Sequence, residues 1–333
     1  MTSSDPAGRA RRAGALAGPL LVLSYCVANA VKSVVEGRLV QDISPEFYAF
    51  NAFFVTQVLY LALCRDHRAL LAAVRRCLPD VLAYNVTTTL SWVAVLYALR
   101  VFEPAVTNSL IVGMVPVLTI LIGGRLRPQA RPSRTELLSS LGVLAAMGYL
   151  AAMTLTGSSG TGSVSSGGFV LGVVASVLTA AAVAGNTFYT KRLGEAGMKP
   201  GQMMACRFPL LLVSTLGLFL VRGSAAPYSA GNVTLFLVLG LGVAGTLLLL
   251  QVGITRTEPM TVSLLFGSNL ILTFGIQFFD PRIDQSVHTL IGVLLLTGFI
   301  LWGSYAGVRQ AAGADREPPR APAPATDSSP HRG

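Results

Sequence analysis

Charged side chains inside apolar stretches are the first residues in the sequence whose types and spacing suggest chemistry. Lys32 and Glu36 stand four residues apart and so share one face of a helix, while Arg207 stands in the apolar stretch around Pro209. If these stretches cross a membrane, an ionisable group within them marks a substrate or ion pathway by default. Each cation would attract a carboxylate. Alternatively, both cations snorkel to a membrane surface, or Lys32 only pairs with Glu36.

Polar side chains inside other apolar stretches form a second set of candidates. Amides and hydroxyls need hydrogen-bond partners in a dry interior. Each therefore either binds a solute or holds two helices together, and for any single residue the second role is more frequent. The set comprises Asn29, Asn51, Gln57, Tyr84, Asn85, Trp92, Asn108, Asn186, Tyr189, Gln251, Asn269 and Gln277.

No pattern for enzymatic or metal chemistry occurs in the sequence. The four cysteines form no CxxC pair and the three histidines are scattered, which predicts neither a disulfide framework nor a zinc site. The GSSG stretch at 157–160 lacks the strand and helix of a nucleophile elbow, and there is no phosphate-binding loop with its lysine. We therefore expect no enzyme, no cofactor and no metal.

The composition indicates the elements that must position these residues. Of the 333 residues, 52% are hydrophobic and only 12% are charged, whereas soluble domains average about 25% charged residues. The apolar runs are continuous, as at 235–250, and lack the alternation of a membrane β-barrel. The sequence therefore predicts an all-α, polytopic membrane protein whose partner is the lipid bilayer.

Ten apolar runs are long enough to be transmembrane helices. The predicted spans are 15–35, 46–64, 80–99, 104–124, 135–155, 167–190, 203–221, 232–252, 258–279 and 288–308.

The positive charge lies mostly between these spans. If the N-terminus is inside, 19 of the 25 Lys and Arg residues fall on the inner side, five fall on the outer side, and Arg207 lies within a span. This bias predicts that both termini are cytoplasmic. It also explains the net charge of +10 without a nucleic-acid partner.

The two halves of the chain share spaced motifs. Glu103-Pro104 and Pro45 match Glu258-Pro259 and Pro200 at an offset of 155 residues, and Leu-Gly-Val at 141–143 matches Ile-Gly-Val at 291–293 at an offset of 150. Five spans per half would turn the second copy upside down, an arrangement found in many transporters. The predicted organisation is therefore a cytoplasmic N-terminal tail (1–14), a five-helix repeat (15–156), an external, flexible Gly/Ser linker (157–166), an inverted repeat (167–308) and a disordered cytoplasmic C-terminal tail (309–333).

With these motifs in place, the sequence resembles the drug/metabolite transporter superfamily, in its ten-span EamA-like branch. The resemblance is clearest from Tyr97-Ala98-Leu99-Arg100 to Gly148, with Pro116 inside the fourth span, and it recurs from Gly253 to Gly303. Arg207, in Cys206-Arg207-Phe208, resembles an arginine often found early in the second span of each family repeat. Two places depart from the family pattern: Asn51-Ala52, where the first repeat would carry that arginine, and Gly124-Arg125-Leu126, where a glutamate is usual.

The resemblance implies a solute cavity lined by spans one, three, four, six, eight and nine. Together with the two cations, the predicted substrate-binding residues are Asn29, Lys32, Tyr84, Asn85, Asn108, Asn186, Arg207, Gln251 and Asn269.

The resulting expectation is a secondary transporter in a bacterial plasma membrane that works by alternating access. Its substrate would be a small polar metabolite, such as an amino acid or related solute, moved outward. Two alternatives remain: a nucleotide-sugar or phosphorylated-sugar exchanger of the same superfamily, and, more remotely, a non-transporting membrane enzyme or scaffold.

The Gly303-x-x-x-Gly307 pair suits close helix packing and leaves a homodimer open. Each Glu-Pro pair is read as an ordinary helix start, with the acid at the positive helix end.

Overall fold

The computed structural model describes residues 6–126, 134–222, 230–257 and 259–314, and the described residues form helices and turns without a strand. The helices are α1 (Pro6–Asp42), α2 (Pro45–Leu63), α3 (His67–Arg76), α4 (Leu78–Val101), α5 (Pro104–Leu126), α6 (Arg134–Leu155), α7 (Ser166–Glu195), α8 (Pro200–Ala205), α9 (Pro209–Arg222), α10 (Ala230–Thr255), α11 (Pro259–Ile276) and α12 (Val287–Ala314). A 3₁₀ turn, Gln277–Phe279, extends α11.

Eight of the described helical segments are long and apolar enough to cross a membrane. They lie in α1, α2, α4, α6, α7, the α8–α9 pair, α10 and α12. The apolar parts of α5 and α11, Pro104–Val115 and Leu265–Phe279, are shorter. Many large apolar side chains on the spanning helices face outward, as at Val213 and Leu220. The protein is therefore a multi-pass helical membrane protein.

Several helix boundaries differ from the predicted spans. α1 continues to Asp42, seven residues beyond the predicted end at 35, and Glu36 in this extension is buried inside the bundle. The predicted seventh span is broken between α8 and α9. The predicted tails are partly helical, since α1 begins at Pro6 and α12 runs to Ala314. Residues 1–5 and 315–333, the 127–133 and 223–229 connections and Glu258 lie outside the described residues.

Helix α3 was not among the predicted elements. It is ten residues long, and its Asp66 N-cap accepts a hydrogen bond from the backbone N–H of Ala69 at 2.8 Å. Leu70 and Ala73 are buried, whereas Arg75 and Arg76 occupy the last turn, where cations suit the helix dipole. A search for continuous apolar runs cannot find such a short amphipathic helix.

The helix contacts recur in matched pairs. The contact of α1 with α10 corresponds to that of α7 with α4, and the contact of α1 with α11 corresponds to that of α7 with α5. In the same way, the contact of α2 with α10 corresponds to that of α9 with α4, and the contact of α5 with α6 corresponds to that of α11 with α12. Helices at equal positions in the two halves also contact each other: α2 with α9, α5 with α11 and α6 with α12.

The linker between the halves packs against the bundle. Gly160 accepts a hydrogen bond from the backbone N–H of Asp284 at 2.9 Å, and the Ser286 hydroxyl donates to the Ser158 carbonyl at 2.5 Å. Residues 158 and 160 of the predicted linker are thus hydrogen-bonded to the segment that precedes α12. We call the end of the bundle that holds residues 157–165 the linker end, and the opposite end, where α1 begins, the N-terminal end.

Two glycines make the close contact between α6 and α12. A Cβ on Gly142 would overlap the ring of Phe299, and a Cβ on Gly292 would overlap Leu150. We expect Gly142→Val and Gly292→Val each to lower stability by about 1–3 kcal/mol, because overpacked helices must separate. Thermal unfolding of the detergent-solubilised protein measures this. Gly148→Val, on the same α6 but with nothing within 4 Å of its Cβ position, is the control; an equal loss there would contradict the packing argument.

Candidate solute-binding site

One face of α1 carries four polar side chains through the bundle. Tyr25, Asn29, Lys32 and Glu36 follow one another at intervals of four, three and four residues, which places them on one side of the helix. α1 contacts α4, α10 and α11, so this face lies among helices of both halves. Lys32 is ten residues from the end of α1, or about 15 Å along the helix. That depth favours an interior role over snorkelling.

Lys32 and Glu36 form a buried ion pair towards the linker end. Lys32 Nζ lies 3.0 Å from Glu36 Oε2, with side-chain exposures of 12% and 1%. The other carboxylate oxygen of Glu36 accepts a hydrogen bond from the Tyr48 hydroxyl on α2 at 2.9 Å. Lys32 Nζ also lies 4.7 Å from the ring centroid of Trp92 on α4. The cluster therefore joins α1, α2 and α4, and its charges balance.

Amide contacts connect the same region to the second half. Asn29 Nδ2 donates to Asn269 Oδ1 on α11 at 3.4 Å, and the carbonyl of Asn269 accepts from the Thr273 hydroxyl at 2.8 Å. Asn108 Nδ2 on α5 donates to Thr273 Oγ1 at 3.2 Å. Three predicted residues thus lie along one line of contacts from α1 through α11 to α5.

The break between α8 and α9 places Arg207 outside regular helix. Residues 206–208 form a turn, and α9 starts at Pro209, which lacks an N–H and suits a first helical turn. Two amides from the first half satisfy the backbone groups exposed by the break. Gln57 on α2 donates to the Ala205 carbonyl at 2.6 Å and accepts from the Phe208 N–H at 3.2 Å. The broken helix is thereby held against α2.

Asn85 on α4 is the second amide at the break. Its Nδ2 donates to the Cys206 carbonyl at 2.8 Å, and its Oδ1 accepts from the Leu210 N–H at 3.3 Å. A further hydrogen bond, to the Val81 carbonyl at 2.9 Å, completes its donors. In the structure, the amide of this predicted substrate-binding residue holds the break against α4.

Arg207 is a cation without a carboxylate partner among the described residues. Its guanidinium carbon lies 5.2 Å from the ring centroid of Tyr84 and 5.6 Å from that of Phe208. Its Nη1 approaches the sulfur of Met204 at 3.8 Å, and its Nε is buried without a hydrogen-bond partner in the described part of the chain. Aromatic rings and a thioether therefore surround a charge that no protein anion balances there.

Two further tyrosines lie within electrostatic range of Arg207: Tyr25 on α1 and Tyr60 on α2. Tyr60 is buried and donates to the Ala244 carbonyl on α10 at 2.7 Å. Tyr84 on α4, whose ring the guanidinium faces, is also buried.

The remaining predicted residues lie elsewhere. Asn186 on α7 is buried, and its Oδ1 accepts hydrogen bonds from the hydroxyls of Thr87 at 2.9 Å and Thr88 at 3.0 Å on α4. These bonds hold α4 and α7 together. Gln251 is half-buried on α10.

Several residues of the site were missed by sequence reasoning. Tyr25 could have been found, since it lies one turn before Asn29 on the polar face of α1. Gln57 was among the polar candidates but was not selected, because it lies on the second span, which is not one of those that the resemblance implies for the cavity; its partners at the break lie 148 and 151 residues away in sequence. Tyr60 gave no local signal, because an aromatic residue in an apolar helix is ordinarily part of the core.

No known family model matches the chain, and no curated protein is significantly similar to it in sequence. A crystal structure of another protein has a similar fold, with a TM-score of 0.62 over 88% of this chain and 97% of the other chain. The two sequences are 14% identical, so this likeness shows the fold alone. Among the described residues, no group of three or more His, Cys, Asp or Glu side chains is placed to hold a metal ion.

Proposed function

We propose that this protein is a secondary transporter of the drug/metabolite transporter superfamily, in its EamA-like branch, and that it moves a small polar solute bearing a carboxylate. The solute is an amino acid or a related metabolite, carried outward across a bacterial plasma membrane by alternating access. The observation that carries the proposal is Arg207, a partly buried cation at a helix break, with a fully buried Nε and without a protein carboxylate among the described residues.

The physical argument rests on the cost of an unbalanced charge. A charge withdrawn from water loses solvation, and the loss is recovered only when a counter-charge with good geometry binds. A carboxylate fits because a guanidinium presents two parallel N–H donors. The hydroxyl of Tyr84 would donate a hydrogen bond to a carboxylate, and the rings of Tyr84 and Phe208 would cover the apolar part of a small solute.

The Lys32–Glu36 pair supplies a second position on the same route. Arg207 faces the ring of Tyr84 and Lys32 faces the ring of Trp92, and these two rings are eight residues apart on α4, which is roughly 12 Å. A carboxylate that leaves Arg207 towards the linker end would therefore meet Lys32 next. There it competes with Glu36 for one cation, which makes binding at Lys32 weaker than binding at Arg207.

The matched helix contacts support two related halves around this route. Pro45 begins α2 and Pro200 begins α8, and Pro104 and Pro259 begin α5 and α11, so the repeated prolines start equivalent helices. With five spans in each half, the halves would be inverted and the solute site would lie between them near the midplane. The ten spans require the shorter apolar segments of α5 and α11 to cross with the eight longer ones.

Binding and flux together test the proposal. A thermal-shift screen of the purified protein against a metabolite library should return carboxylate-bearing solutes, since a ligand of the folded state raises its apparent stability. Proteoliposomes should then transport the same solute. Stimulation of flux by nucleotides on the opposite side would instead support a nucleotide-sugar exchanger. Binding without flux of any ligand found would indicate a non-transporting enzyme or scaffold.

The orientation of the chain is a separate prediction. We expect reporter fusions at Gly160 to read external and fusions at Arg131 and Gly313 to read cytoplasmic, because 19 of the 25 Lys and Arg residues would then lie on the inner side or in the two termini. Position 131 lies outside the described residues. A cytoplasmic reading at Gly160 would reverse the orientation and contradict outward release at the linker end.

A further inference from the structure

Glu103 is a buried carboxylate at the linker end that the proposed solute route does not use. It lies between α4 and α5, outside both helices, and is 1% exposed. The sequence pattern indicated that this acid would only complement the start of α5. In the structure its side chain instead reaches across the bundle to other segments.

The partners of Glu103 are neutral donors from three segments. The Thr289 hydroxyl on α12 donates to Oε1 at 2.5 Å, and Gln277 Nε2 in the 3₁₀ turn donates to Oε2 at 3.3 Å. The linker contributes the backbone N–H of Gly160, which packs so closely that a Cβ there would overlap Glu103 Oε2. Gln277 also accepts from the N–H of Ala105 at 3.3 Å. One carboxylate thus joins both halves and the linker.

Charged groups near Glu103 are engaged elsewhere or lie on the surface. No Lys, Arg or His among the described residues lies within 4 Å of its carboxylate. Arg282 pairs with Asp280 in the turn after α11 and donates to the Gly37 carbonyl at 3.2 Å. The other titratable or charged side chains on the neighbouring elements are Arg100 at the end of α4, Asp284 in the same turn, and His288 on α12, which is bound to Tyr149 at 2.9 Å.

Water can reach the neighbourhood of Glu103. A surface pocket of about 580 Å³ at the linker end is lined by Glu103 together with Gln41, Arg100, Ser163 and Arg282. A proton from the bulk solution can therefore arrive at this carboxylate without crossing the bundle.

We propose that Glu103 is a proton-binding site that controls the opening of the linker end. Opening must separate Glu103 from Thr289, Gln277 and Gly160, because these groups lie on segments that close this end. In the protonated form the carboxyl can donate its own hydrogen to the Thr289 hydroxyl oxygen, which reverses that hydrogen bond and keeps the group neutral in the interior, whereas the ionised form is costly to keep without a cation. Proton uptake from bulk water at the linker end therefore holds that end closed, and release of the same proton to water accompanies opening. The inference rests on the proposed transport function, since only a transporter needs such a gate.

The sign of the pH dependence follows from burial. Burial raises the pKa of Glu103, and the hydrogen bonds from Thr289, Gly160 and Gln277 lower it by less, so the pKa in the closed arrangement lies above the ordinary value of 4.5. In an open arrangement the solvated carboxyl returns to the ordinary pKa. The proton's stabilisation of the closed end is therefore complete below the ordinary pKa and is lost as pH rises through the raised one.

Thiol labelling at the linker end tests this without a solute. In a background lacking the four native cysteines, Thr107→Cys places a thiol on buried α5, one turn from Glu103, and Thr156→Cys places one on the exposed surface nearby. Full-length protein in liposomes is labelled with a polar maleimide at several pH values. Dividing the rate at 107 by the rate at 156 removes the intrinsic pH dependence of thiol chemistry. We expect this ratio to rise severalfold with pH above 4.5.

Two variants test whether the pH dependence of the labelling ratio comes from Glu103. Glu103→Gln, which resembles the protonated form, should hold the ratio at its low-pH value across the range. Glu46→Gln should preserve the rise, because Glu46 is equally buried at the same end but already has a cation, Arg222, at 2.6 Å. A flat ratio in the parent protein, or a rise that persists in Glu103→Gln, would overturn the proposal. Because labelling needs no solute, absent flux with a pH-dependent ratio would contradict the transport function and leave the gate standing.

Discussion

Arg207→Ala is expected to reduce transport of the identified carboxylate solute by about 100-fold or more. A charged hydrogen-bonded partner contributes roughly 1.5–3 kcal/mol, and removal of one member of a buried charge pair costs more; each 1.4 kcal/mol is a factor of ten. Flux into proteoliposomes and ligand-induced thermal shift measure the two consequences. Arg207→Lys should recover only part of the activity, because lysine lacks the planar pair of donors.

The surroundings of Arg207 make the expectation specific. The side chain is held over Tyr84 and Phe208 and has no carboxylate partner among the described residues, so its removal breaks no ion pair there and stability should stay near that of the parent. Arg192→Ala is the matched control, since Arg192 lies half-exposed at the same end and pairs with Asp80 at 3.1 Å. Full flux in Arg207→Ala would remove the arginine from the site.

The second large effect concerns the Lys32–Glu36 pair. From the sequence, Lys32→Ala should abolish transport and leave the fold intact. The structure alters the expectation of an intact fold, because Lys32→Ala would leave Glu36, which is fully buried, without its cation. Breaking a buried pair by removing one partner typically costs about 3–5 kcal/mol. We therefore expect Lys32→Ala to lower both transport and thermal stability.

A double variant separates the two consequences. Lys32→Ala combined with Glu36→Gln removes both charges, and the amide introduced at position 36 can still accept the hydrogen bond that Glu36 accepts from Tyr48 at 2.9 Å. Stability should return to within about 1 kcal/mol of the parent, as expected when two coupled residues are changed together, whereas transport should remain lost. Thermal unfolding and flux measure the two outcomes. Recovery of transport in the double variant would show that Lys32 only balances Glu36.

Composition and periodicity were sufficient to predict the helical membrane class and the approximate position of most spans. They were insufficient for the boundaries of α1, because Glu36 and its partner Tyr48 form an internal hydrogen bond that only the folded bundle shows. The amphipathic α3 was missed because it packs on α4 through one face only. It therefore has no continuous apolar run of the kind that identifies a span.

The candidate site, too, could be predicted from the sequence only in part. An interior charge such as Arg207 could be selected from the sequence alone, because any charge within an apolar run requires an explanation. The roles of the amides could not, since solute binding and bracing demand the same residue types. Asn85 was selected and braces the broken helix, while Gln57 was not selected and does the same. Ten spans, inverted halves and the orientation of the termini remain predictions.

The braced break between α8 and α9 separates the support of Arg207 from its surroundings. The backbone at the break is fixed by Gln57 and Asn85, neither of which is among the aromatic rings that face the guanidinium. Substitution of the facing ring of Tyr84 can therefore alter the shape of the space beside the charge while the backbone that carries the charge stays in place. In the proposed transporter, such changes would alter which solutes fit and would keep the same anchor for the anion.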